Sequence, residues 1–90
     1  MSPTPYRVTF TDAAARQIRR LDRPVQRRLL AAADRLSQDP RPHGIKALQG
    51  APSLLRLRVG DYRLIYTVKD LELLVLVVTV GHRREVYRGL

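Results

Sequence analysis

The sequence predicts an α+β fold in which an N-terminal strand and two helices precede a three-stranded meander. The helices are expected to pack on one face of a four-stranded antiparallel sheet, in the order β-α-α-β-β-β. Three observations predict it. Apolar residues recur at helical spacing between residues 12 and 38, and they alternate or run continuously, as strands do, between residues 54 and 80. The connections inside that second half are too short for anything but antiparallel neighbours. Ninety residues is the length of one domain, so residues 1–90 are expected to share a single core.

Residues 6–10, YRVTF, alternate apolar and polar as a half-buried strand does, and Thr11 or Asp12 then offers a helix N-cap. Ala14, Ile18 and Leu21 follow at helical spacing, which sends Arg16, Gln17, Arg19 and Arg20 to or near the other face. The stretch LDRP carries an aspartate and a proline suited to a first helical turn. Val25, Leu29, Ala32, Ala33 and Leu36 then mark a second stripe ending near Ser37 or Gln38. Two prolines and a glycine in DPRPHG, residues 39–44, predict a loop, and QGAP predicts a turn. Leu54–Val59, Tyr62–Val68 and Leu73–Val80 read as strands joined at Gly60–Asp61 and Lys69–Asp70. The last of them is apolar on both faces, which places it inside the sheet with the N-terminal strand on its far side.

Charge is the strongest compositional signal: 17 Lys and Arg stand against 8 Asp and Glu, a net charge of +9 that calls for a polyanionic partner. All but Lys46 and Lys69 of those cations are arginines, whose planar forks bind phosphate oxygens in pairs. The longest apolar run, Leu71–Val80, is interrupted by Glu72 and falls short of the ~20 residues a spanning helix needs, so no membrane is expected. The first residues lack the apolar segment of a secretory signal, and a cytoplasmic location is expected. The absence of cysteine excludes disulfides and thiolate metal sites.

Alternation along LLRLRV turns Leu55, Leu57 and Val59 to one face and Leu54, Arg56 and Arg58 to the other. In YRLIYTV, Tyr62, Leu64, Tyr66 and Val68 form the apolar set, leaving Arg63, Ile65 and Thr67 on the open face with the two arginines. Gly81 is expected to end or bend the final strand and deliver His82, Arg83, Arg84 and Tyr87 to the rim. A tyrosine there can stack a splayed RNA base and exchange a proton through its phenol. His82 offers a second proton carrier near neutrality. His43 has no partner in sequence, and no spacing of His, Asp or Glu suggests a metal site.

The strand, helix, helix, meander order, the segment RLRVGDYRLIY and the motif GHRREVYR together resemble the RelE branch of the RelE/ParE toxins over nearly the whole chain. RelE toxins are ribosome-dependent endoribonucleases that cut messenger RNA in the decoding site and are neutralised by an antitoxin. The resemblance therefore implies a type II toxin that inhibits translation as a metal-independent mRNA interferase, without a cofactor. Its implied partners are the ribosome, mRNA and an acidic RelB-like antitoxin.

Carried over by position, the family's basic pair falls on Arg56 and Arg58, its next arginine on Arg63, and its C-terminal arginine and tyrosine on Arg83 and Tyr87. Arg56, Arg63, Arg83 and Tyr87 are the implied catalytic set, and Arg58, His82, Arg84 and Arg88 the implied RNA contacts. The implied chemistry is attack of a 2′-hydroxyl on the adjacent phosphate, with arginines neutralising the phosphorane and Tyr87 taking the proton. The chain departs from the family in carrying arginine where lysines are familiar, and arginine cannot serve as a proton donor. It also has only three residues after Tyr87, where some relatives carry a further helix. Two other readings stay open: a ParE-like toxin that poisons DNA gyrase, and a catalytically silent module that binds nucleic acid or a partner.

Overall fold

The computed structural model describes residues 5–82. They form β1 (Arg7–Phe10), α1 (Asp12–Arg19), α2 (Arg23–Gln38), β2 (Lys46–Leu48), β3 (Ala51–Val59), β4 (Tyr62–Lys69), a 3-10 turn (Asp70–Glu72) and β5 (Leu74–His82). The strands make one sheet in the order β1-β5-β4-β3-β2, with β5 beside the N-terminal strand as expected. Both helices lie on one face, so the α+β architecture of the sequence reading holds. No helix among the described residues is long and apolar enough to cross a membrane.

The helices begin where the sequence placed them. Thr11 caps α1: its Oγ1 accepts from Ala14 N at 3.1 Å and donates to the Val78 carbonyl at 2.7 Å. Pro24 sits in the first turn of α2, where its missing N–H costs nothing. Gln26 Nε2 donates to the Ile18 and Leu21 carbonyls, both at 2.9 Å, tying the first turn of α2 to the end of α1. Ala14 and Ile18 of α1 and Leu29, Ala32, Ala33 and Leu36 of α2 are buried against Leu64, Tyr66, Val75, Val77 and Val80. Tyr66 is fully enclosed, yet its hydroxyl donates to the Pro40 carbonyl at 2.8 Å, tying the loop after α2 to the core. Burial pushes that phenol up to about 12.

Four details depart from the sequence reading. First, the sheet has five strands, because Lys46–Leu48, between the expected loop and the QGAP turn, adds β2 to the edge. Strand β3 accordingly starts at Ala51 rather than Leu54, after a turn in which Gly50 takes φ +81°. The β2–β3 register jumps from Ala47↔Leu55 to Leu48↔Ala51, which leaves Pro52, unable to donate a ladder hydrogen bond, outside the pairing.

Second, β1 runs parallel to β5, from Arg7↔Leu74 to Phe10↔Val77. Side-chain alternation carries no information about strand direction, and two intervening helices leave the chain free to approach either way. Third, β5 continues through Gly81 to His82, which pairs with Tyr62, so the glycine does not end the strand. Fourth, the β4–β5 register passes from Ile65↔Thr79 to Tyr66↔Val77, leaving Val78 as a bulge. Gln17, assigned from its position to the outward side of α1, instead closes that bulge: its Oε1 accepts from Val80 N at 2.7 Å and from Thr79 Oγ1 at 3.1 Å. The bulge resets the alternation so that Val75, Val77 and Val80 are all buried with the helices.

Candidate nucleic-acid interface

Strand register assembles the basic face. Directly paired residues of antiparallel strands share a face, and Lys46↔Arg56 and Arg58↔Arg63 are such pairs. Arg56 and Arg58 lie two apart on β3, so all four cations stand on the side of the sheet away from the helices. Gly60, at φ +60°, occupies the first position of the two-residue β3–β4 hairpin, where the left-handed region is required. Arg58 Nε donates to the Gly60 carbonyl at 3.3 Å, bracing its side chain against that hairpin.

Among the described residues, the four cations and Gly44 line an open cleft of about 230 Å³, with no carboxylate in that lining. Within it Arg56 and Arg63 are half-buried, whereas Lys46 and Arg58 are exposed. Arg63 Nε and Nη1 are shut off from water and have no hydrogen-bond partner among the described residues. Directly across from Arg63 on β5 is Gly81, which puts no side chain beside the guanidinium. Buried donors are nearly always paired, and leaving one bare costs ~1–3 kcal/mol, more where it is charged. Neither nitrogen has exposed surface, so an anion seated in the cleft meets them only when the guanidinium turns outward.

The face is less open than the sequence suggested. Ile65, on the same side as Arg63, is completely buried, although it belongs to no helix-side cluster. Its cross-strand partner is Arg56, so the base of the arginine cluster is apolar and dry rather than solvated.

The structure does not bring His82 to this cleft. His82 follows Val80 by two residues onto the helix side, where it borders a separate hollow with Gln17, Arg20, Leu21 and Tyr62. Its ring meets that of Tyr62 edge-on at 5.7 Å. His43 is exposed in the loop before β2. Arg83, Arg84, Tyr87 and Arg88 lie outside the described residues. Among the described residues no three of His, Asp and Glu gather as a metal site would require. Lys46 is the member of the cluster that sequence reasoning missed, because a three-residue strand is too short to show a period.

A second polar cluster lies at the opposite end of β4. Asp70 accepts from both terminal nitrogens of Arg41, at 3.0 and 2.8 Å, and from Tyr6 Oη at 2.7 Å. The Arg41 hydrogen bond, followed by that of Tyr6, holds the Asp70 carboxyl at about 2, well below its ordinary range. The same contact raises the Tyr6 phenol. With its charges mutually satisfied, this cluster clamps β1 and the loop after α2 to the β4–β5 turn and leaves nothing over for a ligand.

The model of the family described as "ParE toxin of type II toxin-antitoxin system, parDE" matches residues 8–87. Toxin RelG of Mycobacterium tuberculosis is 33% identical over 89 residues, covering 93% of this chain and 98% of RelG. The mRNA interferase toxin RelE of Escherichia coli K12 is 34% identical over 86 residues, covering 91% and 90%. This chain belongs to the RelE branch of the RelE/ParE toxins. Among solved structures, the RelBE2 toxin–antitoxin complex of M. tuberculosis superposes with a TM-score of 0.80 at 30% identity, covering 91% of this chain and 95% of that one. As a RelE-type toxin of a toxin–antitoxin system, the chain carries the arginine cleft on the sheet face that its two helices leave uncovered.

Proposed function

We propose that this RelE-type toxin is a ribosome-dependent endoribonuclease that cuts messenger RNA in the decoding site and thereby halts translation. The observation that carries the reading is the cleft of Lys46, Arg56, Arg58 and Arg63, in which two Arg63 nitrogens are buried without an acceptor. A phosphodiester matches that cluster of cations in charge and in hydrogen-bonding capacity. The naming of a relative as an mRNA interferase supports RNA as the source of the phosphate.

In the proposed reaction the 2′-hydroxyl of one nucleotide attacks the adjacent phosphorus and the P–O5′ bond breaks, leaving a cyclic phosphate and a 5′-hydroxyl. Arg56, Arg63 and Arg83 neutralise the charge that grows on the nonbridging oxygens, a preorganised role worth several kcal/mol in comparable sites. Tyr87 takes the 2′-hydroxyl proton. Arg58, Arg84 and Arg88 hold the flanking backbone. His82, on the helix side, would meet RNA only outside the cleft. The net charge of +9 and the RelBE2 complex support an acidic RelB-like antitoxin as the partner that silences the toxin.

Because the family model takes its name from ParE, the test needs two arms. Purified chain is added to a translation reaction with message breaks mapped by primer extension, and in parallel to a DNA gyrase supercoiling reaction. Breaks within codons being translated, with gyrase unaffected, are expected. Intact message beside blocked supercoiling would replace this reading with gyrase poisoning, and no effect in either arm would leave a silent binding module.

A further inference from the structure

The cleavage reaction needs two proton transfers: one from the attacking 2′-hydroxyl and one to the departing 5′-oxygen. The three arginines of the cleft suit charge stabilisation and are unsuited to the second transfer, because a guanidinium does not give up a proton in proteins. His82, the proton carrier that the sequence suggested as an alternative, stands on the other side of the sheet against Tyr62. Of the two lysines, Lys69 ends β4 opposite Leu74, at the far end of the strand from Arg63. The other is Lys46.

Lys46 pairs directly with Arg56 across β2 and β3, and it lines the same cleft as Arg58 and Arg63. Its side chain is exposed, which leaves its flexible four-carbon stem free to reach a phosphate seated over Arg63. Gly44, two residues earlier at φ +93°, turns the chain into β2, and no described residue lies within 4 Å of where a Cβ would stand, so among the described residues the approach on that side is open.

We propose that Lys46 is the general acid of the cleavage step, an inference that rests on the endoribonuclease reading above. As the 2′-oxygen bonds to phosphorus and the P–O5′ bond breaks, the Lys46 ammonium delivers a proton to O5′, and the neutral amine recovers one from water. The atoms balance without a metal or a further co-reactant: one proton leaves the 2′-hydroxyl to the base, and one reaches the 5′-hydroxyl from Lys46. An acid supplied from β2 also accounts for a cleft built almost wholly of arginine, since the family's lysine positions on β3 need carry only charge.

The test compares Lys46→Arg with the parent on ribosome-bound message, in single-turnover reactions, using two substrates. One is all-oxygen RNA. The other carries sulfur in place of O5′ at the scissile bond, a leaving group that departs without protonation. Lys46→Arg keeps the cation, so ribosome binding and melting temperature are expected to match the parent. Cleavage of the oxygen substrate should slow by roughly 10²-fold or more, the usual range for loss of a general acid. Cleavage of the sulfur substrate should proceed at the parental rate. Parental cleavage of the oxygen substrate by Lys46→Arg would overturn the proposal while leaving the endoribonuclease reading intact. So would an equal slowing on both substrates, which would make Lys46 an electrostatic or structural contact. Failure of the parent itself to cut either message would instead refute the endoribonuclease reading, and this inference with it.

Discussion

Replacing Arg63 by methionine removes the guanidinium while keeping an unbranched stem, and the structure predicts opposite effects on stability and activity. Arg63 Nε and Nη1 are buried without acceptors, and each such group costs ~1–3 kcal/mol, whereas an apolar group of similar shape is neutral or stabilising. Because the residue as a whole is only half-buried, the expected gain is discounted to about 1 kcal/mol. For a chain of this length that corresponds to a rise in melting temperature of roughly 4–8 °C. In the transition state the guanidinium would face the phosphorane, and loss of a preorganised donor slows reactions by about 10²–10³-fold. Thermal unfolding of the isolated chain and single-turnover cleavage on pre-bound ribosomes measure the two effects. A variant that melts well below the parent would show that Arg63 holds the fold together, and would refute the argument that the cleft keeps unspent hydrogen-bonding capacity for a phosphate.

Gln17→Ala should destabilise the chain by about 1–3 kcal/mol in urea denaturation, because Val80 N and Thr79 Oγ1 lose their shared acceptor at the β5 bulge. Asp70, held at about 2 against an ordinary 3.8, stabilises the fold fully above pH ~4 and loses that contribution as pH falls towards 2. Unfolding midpoints measured down the acid limb should therefore fall more steeply over that window for the parent than for Asp70→Asn. Tyr87→Phe keeps the ring and deletes the phenol, so it should slow cleavage by roughly 10²-fold with ribosome binding unchanged. A parental rate in single-turnover assays would remove Tyr87 from the role of base.

The helices were legible because each carries its own record: Thr11 as cap, Pro24 in a first turn, and stripes such as Leu29, Ala32, Ala33 and Leu36 that only a 3.6-residue period aligns. The neighbours of β5 were legible because an apolar strand must be covered on both sides. Pairings set by tertiary context were not. Lys46–Leu48 is a strand only because β3 offers it an edge, and the direction of β1 depends on the path of the chain through two helices.

In the candidate site, period-2 alternation correctly put Arg56, Arg58 and Arg63 on one face, since β3 and β4 pair without a break from Leu55↔Tyr66 to Val59↔Tyr62. It could not reveal that Ile65 beneath them is dry. Where His82 sits was not legible for a local reason: Gly81 suggests an end or a bend in the strand, whereas backbone pairing carries β5 onward and puts the imidazole beside Tyr62. Gln17 looked like one more polar residue among arginines, and only the Val78 bulge gives it a reason to turn inward.

If the arginine cleft cuts RNA by transesterification on the ribosome, as proposed above, the chemistry of the new ends will show it. Purified ribosomes programmed with a defined message are incubated with the chain, and the fragments are isolated for end analysis by mass spectrometry. A 2′,3′-cyclic phosphate on the upstream fragment and a 5′-hydroxyl on the downstream one, formed only when ribosomes are present, are predicted. A message left whole, or one cut to a 3′-hydroxyl and a 5′-phosphate, would contradict the account.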